Sequence, residues 1–392
     1  MSGPPVALDS TVRVRRALEG IIGVPATEGN RIDVLRNGDE IFPAMLSAIE
    51  HAQHTVDFLT FVYWSGTIGT KFADALSARA KAGVRVRVVL DALGAHPMDK
   101  ALISKMEDSG VLVRWFRPLH RFRPTQVNHR THRKVLITDE SVGFTGGVGI
   151  ADVWQGNARD SSEWRDTHFR LVGPAVDGLR SAFLDNWVET DPVLFDESID
   201  RFPEQPKPGD SLVQCVRGAS ETGWSDISTL FNTLLQLACE RVRVTTAYFV
   251  PDEDLSDRLC RAAQRGVRVE ILLPGPFADK RFVQLAGEAN YDALLSAGVK
   301  LWHYQPTMLH AKVMTVDGVV ANVGSANLNN RSMALDEEIN VVVIDPAFVQ
   351  ILDEHFEDDC SRSVAIEPGR WEHRSIAQRV AERVVQPLRW SS

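Results

Sequence analysis

The sequence has little cysteine and no long apolar run, and both absences narrow the class of protein. Its cysteines show neither a CxxC pair nor metal-ligand spacing, so buried free thiols are expected rather than disulfides or zinc sites. They are Cys215, Cys239, Cys260 and Cys360. No apolar stretch reaches the roughly 18 to 20 residues of a membrane span, and the first residues lack the apolar core of a signal peptide. These features predict a cytoplasmic protein.

Acidic residues outnumber basic ones, with 52 Asp and Glu against 43 Lys and Arg. The formal net charge is -9 at pH 7, which argues against a protein that grips a nucleic-acid backbone, because phosphate neutralisation needs a basic surface. Nucleic acid is therefore not expected as a partner. The stretch from Arg117 to Lys134 (RPLHRFRPTQVNHRTHRK) is a local exception, and it is either a solvated loop or a basic groove.

What the sequence does contain is an internal repeat. AKAGVRVRVVL, which ends at Leu90, matches AQRGVRVEILL, which ends at Leu273. HRKVLITDESVGFTGG, which starts at His132, matches HAKVMTVDGVVANVGS, which starts at His310. Apolar strands alternate with amphipathic segments in both copies, which predicts a duplicated α/β domain with a helix-covered sheet in each half.

A Pro-rich polar stretch between the copies is typical of a linker and sets the predicted boundaries. The predicted divisions are an N-terminal extension at 1–31, a first repeat at 32–202, a linker at 203–211, a second repeat at 212–366 and a C-terminal amphipathic tail at 367–392.

The strongest chemical signal is the pattern HxK followed by four residues and an aspartate, which occurs twice. The predicted catalytic residues are His132, Lys134, Asp139, His310, Lys312 and Asp317. A lone HxK is common, whereas two copies at matched places in a duplicated domain indicate function. Alternate residues of a strand share one face, so each histidine projects together with its lysine. The two aspartates begin turn-like pairs, and we assign them to turn geometry or charge balance rather than to proton transfer.

Two histidines and two lysines suit a phosphodiester if the halves pack about a pseudo-twofold axis and share one cleft. The lysines can stabilise charge on the non-bridging oxygens as phosphorus becomes pentacoordinate. One histidine can attack phosphorus while the other protonates the leaving oxygen. This chemistry requires neither a metal nor a cofactor.

Two carboxylates, Asp166 and Glu338, fall opposite each other in the repeat alignment. They can orient the imidazoles and raise their basicity, or they can be surface acids at the starts of strands. Small-residue turns behind the motifs allow the backbone to approach a substrate closely. The predicted substrate-binding residues are Gly147, Ser325, Asn327 and Arg130.

With these residues in view, the chain resembles the phospholipase D superfamily, and within it the bacterial cardiolipin synthases without N-terminal transmembrane helices. The strings that carry the resemblance are NHRTHRK, FTGGVGIAD, WRDTH, AYFVPD and GSANLNNRS. The resemblance implies two α/β/α sandwich domains of the phospholipase D type around one shared active site. It also implies phosphatidyl transfer from one phospholipid to the glycerol hydroxyl of phosphatidylglycerol through a phosphohistidine.

Within that resemblance, His132 is the nucleophile and His310 is the acid and base. Gly149 and Asp336 depart from it, because the synthases commonly carry asparagine at both places. A hydrolase, either a phospholipase D or a nuclease, is an alternative, since water can resolve the same intermediate. A lipid-binding scaffold with the same fold is a third reading, although the intact His and Lys pairs argue against it.

The implied partners are phospholipids, with phosphatidylglycerol foremost, and an anionic membrane surface on the inner face of the cell membrane. The C-terminal segment from Arg374 to Trp390 has the spacing of a basic amphipathic helix. It either lies in the headgroup region of a bilayer or packs on the protein's own core. The sequence leaves the oligomeric state open.

Overall fold

The computed structural model describes residues 10–118, 128–193, 201–218 and 226–372. Strands and helices alternate in both copies of the repeat, as the hydrophobic pattern predicts. The first half contains α1 (Ser10–Ile22), β1 (Thr27–Arg36), α2 (Asn37–His51), β2 (Thr55–Thr60), α3 (Thr67–Lys81), β3 (Arg85–Asp91), α4 (Lys100–Asp108), β4 (Leu112–Phe116), β5 (Val135–Thr138), β6 (Val142–Gly146), β7 (Thr167–Val172) and α5 (Val176–Val188).

The second half follows the same plan with a few additions. It contains β8 (Ser211–Arg217), α6 (Asp226–Leu237), β9 (Arg241–Thr245), β10 (Phe249–Val250), α7 (Glu253–Gln264), β11 (Arg268–Pro274), α8 (Arg281–Glu288), α9 (Tyr291–Ser296), β12 (Lys300–Tyr304), β13 (Val313–Val316), β14 (Val320–Gly324), β15 (Leu328–Asn329), α10 (Asn330–Ala334), β16 (Ile339–Ile344), α11 (Pro346–Ser361), β17 (Ser363–Ala365) and α12 (Pro368–Glu372).

Fifteen of the described strands form one continuous sheet. Its order is β17-β12-β11-β9-β13-β14-β16-β8-β1-β7-β6-β5-β2-β3-β4, so matching strands lie at matching distances from the middle. There β1 pairs antiparallel with β8, with Asn30 opposite Ser211. The sequence predicts a sheet in each half, and the edge strands β1 and β8 join the two by satisfying each other's backbone hydrogen-bonding groups. The halves are related by a pseudo-twofold axis at this seam.

The two halves also share a hydrophobic core beside the seam. Phe183 of α5 and Phe348 of α11 belong to one buried cluster, together with Val341 of β16. Separate clusters fill the outer part of each half. Because close-packed interiors resist rearrangement, the shared cluster fixes the halves relative to each other, as a site built from both halves requires.

The segments outside the two repeats both pack on the second half. Helix α1 precedes the first repeat in sequence, but its Leu18 is buried in the core of the second half. Near the other end, the Trp371 ring lies 5.0 Å from the ring of Tyr291. The predicted amphipathic segment at 374–390 lies outside the described residues, and among those that are described no helix is long and apolar enough to cross a membrane.

Candidate active site

The two motif histidines lie where the halves of the sheet meet, and the main chain holds each against the opposite half. The backbone N–H of His132 donates to the carbonyl oxygen of Glu337 at 2.9 Å. The backbone N–H of His310 donates in the same way to the carbonyl oxygen of Arg165 at 2.7 Å. The two motifs are therefore brought together by backbone hydrogen bonds that cross the pseudo-twofold axis.

The side chains cross the axis as well. Nδ1 of His132 lies 2.9 Å from Oε1 of Glu338, and Nδ1 of His310 lies 2.8 Å from Oδ2 of Asp166. An ionised carboxylate can only accept a hydrogen bond, so Nδ1 of each ring carries the proton and donates it. Nε2 of each ring then carries a lone pair for nucleophilic attack or for proton transfer, and that of His310 accepts a hydrogen bond from Nζ of Lys312 at 3.1 Å. The repeat alignment points to these two carboxylates, whereas the exchange between halves is visible only in the structure.

Both carboxylates are fully buried and accept further hydrogen bonds. Asp166 accepts from the indole N–H of Trp154 at 2.9 Å, and Glu338 accepts from the hydroxyls of Ser325 and Ser332, the latter at 2.6 Å. Burial raises the pKa of Glu338, but His132, Lys134 and Ser325 together outweigh it and lower the pKa to about 2. Sequence reasoning missed Trp154 and Ser332, although Ser332 ends the GSANLNNRS string.

Two of the predicted substrate-binding residues are found against these carboxylates. A Cβ atom at Gly147 would lie 2.2 Å from Oδ1 of Asp166, so glycine is needed to make room for this carboxylate. Ser325 directs its hydroxyl to Glu338. Asn327 instead lines a cleft beside His132, and its Oδ1 is buried without a hydrogen-bond partner among the described residues.

Arg130, also predicted to bind substrate, is buried behind the histidine. Its guanidinium pairs with Asp91 at 3.0 Å and donates to the carbonyl oxygens of Phe116 and Arg117. The backbone N–H of Thr131 donates to the same Asp91 carboxylate at 3.2 Å. These contacts fix the chain that leads into His132.

Each motif lysine binds the main chain of the histidine two residues before it. Nζ of Lys134 donates to the carbonyl oxygen of His132 at 2.6 Å, and Nζ of Lys312 donates to the carbonyl oxygen of His310. Burial lowers the pKa of Lys134 to about 8 and that of Lys312 to about 7. Lys312 is also close enough to His132 to help lower its pKa, so the two motifs form one electrostatic site.

The motif aspartates lie away from the histidines, at the ends of hairpins. Asp139 and Asp317 adopt positive φ angles of 49° and 53°, and each carboxylate accepts hydrogen bonds from three consecutive backbone N–H groups. Asp139 thereby ties the β5–β6 turn to the start of β2, and Asp317 ties the β13–β14 turn to the start of β9. This placement agrees with the assignment to turn geometry.

A cleft of about 210 Å³ opens beside His132 between the two halves. Its walls combine aromatic, amide and charged side chains from both halves: Phe61, Leu93, His132, Tyr248, Lys280, Phe282, Val283, Asn327, Asn329, Arg331, Ser332 and Asp336. The ring of His310 lies 6.1 Å from the Tyr248 ring, which places the second histidine next to the same cleft. Eight of these twelve side chains carry polar or charged groups and four are apolar, so the cleft can contact both the polar and the apolar part of an amphipathic ligand.

Both imidazoles are neutral at pH 7. Burial lowers the pKa of His132 to about 3 and that of His310 to about 4, although their carboxylates act in the opposite direction. The site therefore combines two neutral imidazole rings with two lysines and two buried carboxylates. Among the described residues, no group of three or more His, Cys, Asp or Glu side chains is arranged to hold a metal ion.

Comparison with known proteins identifies the family. The family described as "Cardiolipin synthase, PLD-like domain" matches residues 45–153 and 231–360, which includes both motifs. The chain belongs to this family of phospholipase D-like enzymes. Cardiolipin synthase 1 of Bacillus cereus is 32% identical over 97% of this chain and 77% of its own length. Cardiolipin synthase 2 of Bacillus anthracis is 33% identical over 90% of this chain and 70% of its own length.

Solved structures support the fold. The phosphatidylserine synthase of Haemophilus influenzae superposes with a TM-score of 0.74 at 15% identity, over 96% of this chain and 97% of that one. The polyphosphate kinase of Porphyromonas gingivalis gives a TM-score of 0.57 at 13% identity, over 100% of this chain and 57% of that one. The resemblance to phospholipase D-like cardiolipin synthases and the duplicated α/β fold, both predicted from the sequence, are confirmed.

Proposed function

We propose that this cardiolipin synthase family member transfers a phosphatidyl group to phosphatidylglycerol, forming cardiolipin through a phosphohistidine. The crossed pairing of His132 with Glu338 and of His310 with Asp166 carries the proposal. It leaves Nε2 of both rings unprotonated at one site, which is what a double displacement at phosphorus needs, and Lys312 lies 3.1 Å from Nε2 of His310. One ring can form the covalent bond while the other moves the proton.

In the first displacement, Nε2 of His132 attacks the phosphorus of the donor lipid. The bond from phosphorus to the headgroup oxygen breaks, and that oxygen takes a proton from Nε2 of His310. The negative charge of the bound phosphodiester raises the pKa of His310, so the ring can carry this proton, and Asp166 stabilises the resulting imidazolium. Lys134 and Lys312 stabilise the charge on the non-bridging oxygens.

In the second displacement, a glycerol hydroxyl of the acceptor phosphatidylglycerol attacks the phosphorus. The bond from phosphorus to Nε2 of His132 breaks, and the hydroxyl proton passes to Nε2 of His310. His132 is assigned as the nucleophile because it lines the cleft, and its side chain is 12% exposed against 7% for His310. Two molecules of phosphatidylglycerol would thus give one cardiolipin and one glycerol.

The choice of lipids rests on the relatives. Proteins named cardiolipin synthase match nearly the whole chain at about a third identity, and a phosphatidylserine synthase shares the fold. Both names describe the synthesis of phospholipids rather than their hydrolysis. The net charge of -9 also disfavours a nuclease, which would need a basic surface for its substrate.

The products decide between transfer and hydrolysis. With vesicles of phosphatidylglycerol, the purified protein is expected to form cardiolipin and free glycerol in equal amounts, as measured by phosphorus NMR and a glycerol assay. Added phosphatidylethanolamine should release ethanolamine if it serves as the donor. The double variant His132→Ala/His310→Ala controls for contaminating enzymes. If phosphatidic acid is the only product, the protein is a hydrolase rather than a transferase.

We further propose that the mouth of the cleft contacts the membrane surface. Leu93 and Phe282 line the cleft and are 50% and 44% exposed, and Phe277 is 43% exposed in the adjoining loop before α8. Lys280 and Arg281 lie between the two phenylalanines in sequence. Aromatic side chains interleaved with cations suit the headgroup region of an anionic bilayer, where apolar burial and charge attraction reinforce each other.

Phe277→Ser is expected to weaken binding to phosphatidylglycerol vesicles about 30-fold in a sedimentation assay, because burial of a phenylalanine contributes about 2 kcal/mol. Ile351→Ser is the matched control, since Ile351 is also 43% exposed but lies on α11 and does not line the cleft. Turnover of a short-chain soluble substrate should survive in both variants. Unchanged binding by Phe277→Ser would remove the loop from the membrane contact. The basic stretch from Arg117 to Lys134 and the segment from Arg374 to Trp390 would then be the sequence-predicted candidates.

A further inference from the structure

Two tryptophan rings of the first half lie against the imidazole of His310. The ring centroid of Trp154 lies 5.2 Å from that of His310 with an angle of 74° between the planes, and the centroid of Trp164 lies 5.5 Å away at 37°. The two indoles also contact each other, with centroids 4.8 Å apart. Trp154 is buried, whereas Trp164 is partly exposed. His310 therefore packs against aromatic surface that comes from the other half of the chain.

Hydrogen bonds hold both indoles in place. Nε1 of Trp154 donates to Oδ2 of Asp166 at 2.9 Å, and the same oxygen accepts from Nδ1 of His310 at 2.8 Å. The backbone N–H of Trp164 donates to the carbonyl oxygen of Val153 at 2.7 Å. Because the rings are fixed by these bonds, their position against the imidazole is set before a substrate binds.

The surroundings of His132 are different. The ring of Phe61 lies 5.3 Å from the imidazole at an angle of 67°, and Nζ of Lys134 lies 5.7 Å from the centroid of the same phenyl ring. A serine, Ser332, stands at the place in the repeat that matches Trp154. The two matched sites thus present indoles to one histidine, and a phenyl ring and a hydroxyl to the other.

An indole face distinguishes the two charge states of an imidazole. The face of an aromatic ring carries the negative part of its quadrupole and attracts a cation, and tryptophan does so most strongly. The attraction grows when water is excluded, and a neutral ring does not gain it. The angle of 37° makes the contact of Trp164 closer to stacked than to edge-on. This contact therefore favours the protonated form of His310.

We propose that Trp164, together with Trp154, stabilises the imidazolium form of His310 and so makes His310 the proton carrier of the site. This inference rests on the proposed function and names the feature that divides the two roles between otherwise matched histidines. Trp164 acts through His310, so it is a positioning residue and takes no part in bond making or breaking.

Other titratable groups surround the same imidazole. They are Lys312, Asp166, Asp279, Tyr248 and, across the site, His132 and Lys134. Burial lowers the pKa of His310 and Lys312 lowers it further, whereas Asp166 and Asp279 raise it. Asp279 lies in the loop before α8. A substitution at Trp164 leaves all of these groups in the protein, so a change in the pH dependence reports on the indole.

Trp164→Leu removes the indole face and keeps an apolar side chain. The first displacement is measured as release of labelled glycerol from phosphatidylglycerol in mixed micelles, with enzyme in excess. Only protonated His310 can donate to the leaving oxygen, so the rate falls on the alkaline side of its pKa. Without the indole this alkaline limb should move to lower pH by about one unit, or about 1.4 kcal/mol, as expected for a desolvated cation–π contact. Above the limb the variant should be about tenfold slower, and below it the rates should agree within about twofold.

Trp64→Leu is the matched control. Trp64 is also partly exposed and its ring lies 6.3 Å from that of Trp154, but its N–H donates to the carbonyl oxygen of Gly94 rather than to Asp166. This variant should not move the limb. Trp164→Phe keeps an aromatic face and should move it by less than about half a unit. If thermal unfolding shows that Trp164→Leu does not fold, Trp164→Met takes its place, because a flexible methionine fills irregular gaps.

A nitrophenyl phosphodiester separates the proposed role from a structural one. Its leaving group needs no proton, so the burst of nitrophenol from Trp164→Leu should keep its rate to within about twofold. An equal loss with both donors at every pH would make Trp164 a packing residue and overturn the proposal. An unmoved alkaline limb, or a limb that moves equally in Trp64→Leu, would overturn it as well. A shift in the acid limb of the burst would do the same, because the indole would then act on the nucleophile.

The proposed function fails separately. If the unaltered protein releases glycerol but forms phosphatidic acid instead of cardiolipin, it is a hydrolase. The shifted limb of Trp164→Leu would in that case still support the role of the indole, because the first displacement is common to transfer and hydrolysis.

Discussion

His132→Ala is expected to lower the rate of phosphatidyl transfer about 10⁴-fold or more, because it removes the nucleophile. His310→Ala should be similarly slow with lipid donors, since the leaving glycerol oxygen then receives no proton. A donor whose leaving group is an acidic nitrophenol needs no such proton. With a nitrophenyl phosphodiester, His310→Ala should release one equivalent of nitrophenol in a burst and then stop, whereas His132→Ala should give no burst.

The two variants also serve as each other's control, because both lose one imidazole from the same site. Thermal unfolding of both should still show one cooperative transition, which checks folding, because each variant leaves a buried carboxylate without its histidine. A burst in His132→Ala and none in His310→Ala would exchange the two roles. A burst in neither, from an active preparation, would argue against a covalent intermediate.

Glu338→Gln is expected to remove the nitrophenol burst as His132→Ala does, although the two residues are 206 positions apart in different halves of the chain. The amide no longer fixes the Nδ1–H tautomer, so the proton can move to Nε2 of His132 and block the attacking lone pair. The rate of phosphatidyl transfer should fall about 10³-fold. Asp166→Asn should instead resemble His310→Ala and keep the nitrophenol burst. Burst amplitude and turnover of the nitrophenyl substrate measure both effects.

The crossed pattern is the test of the geometry. If each carboxylate served the histidine of its own half, Glu338→Gln would keep the burst and Asp166→Asn would lose it. Losses below about tenfold in both variants would be smaller than the cost of removing an orienting hydrogen bond, and would reduce the carboxylates to a minor role.

Local patterns predict much of this molecule. The duplication, the strands at the two motifs and the helices on either side follow from hydrophobic periodicity and from the matched strings, which depend only on neighbours in sequence. The turns at Asp139 and Asp317 follow from the same local pattern, because Asp-Glu and Asp-Gly pairs after an apolar strand are typical of hairpins. The backbone that their carboxylates bind lies 76 to 86 residues earlier and could not be predicted. The family could be recognised because the motifs recur at matched places.

Long-range partners could not be predicted in the same way. The pairing of His132 with Glu338 depends on how β1 and β8 join the halves, which no local pattern encodes. Arg130 stands in a string typical of the family, but its partner Asp91 ends β3, 39 residues earlier. Trp154 was missed because a tryptophan after a glycine-rich turn is usually read as core, and its N–H bond to Asp166 needs the fold to be seen.

The central claim is that the phosphatidyl group becomes covalently bonded to His132 before it is transferred. The most direct test is to locate that bond. His310→Ala, quenched with alkali after reaction with the nitrophenyl donor, can be digested and sequenced by tandem mass spectrometry, because a phosphoramidate is labile to acid. We predict one modified peptide, with the added mass on His132. The added mass on His310 in the unaltered protein, on a lysine, or on no residue during active turnover would contradict the account.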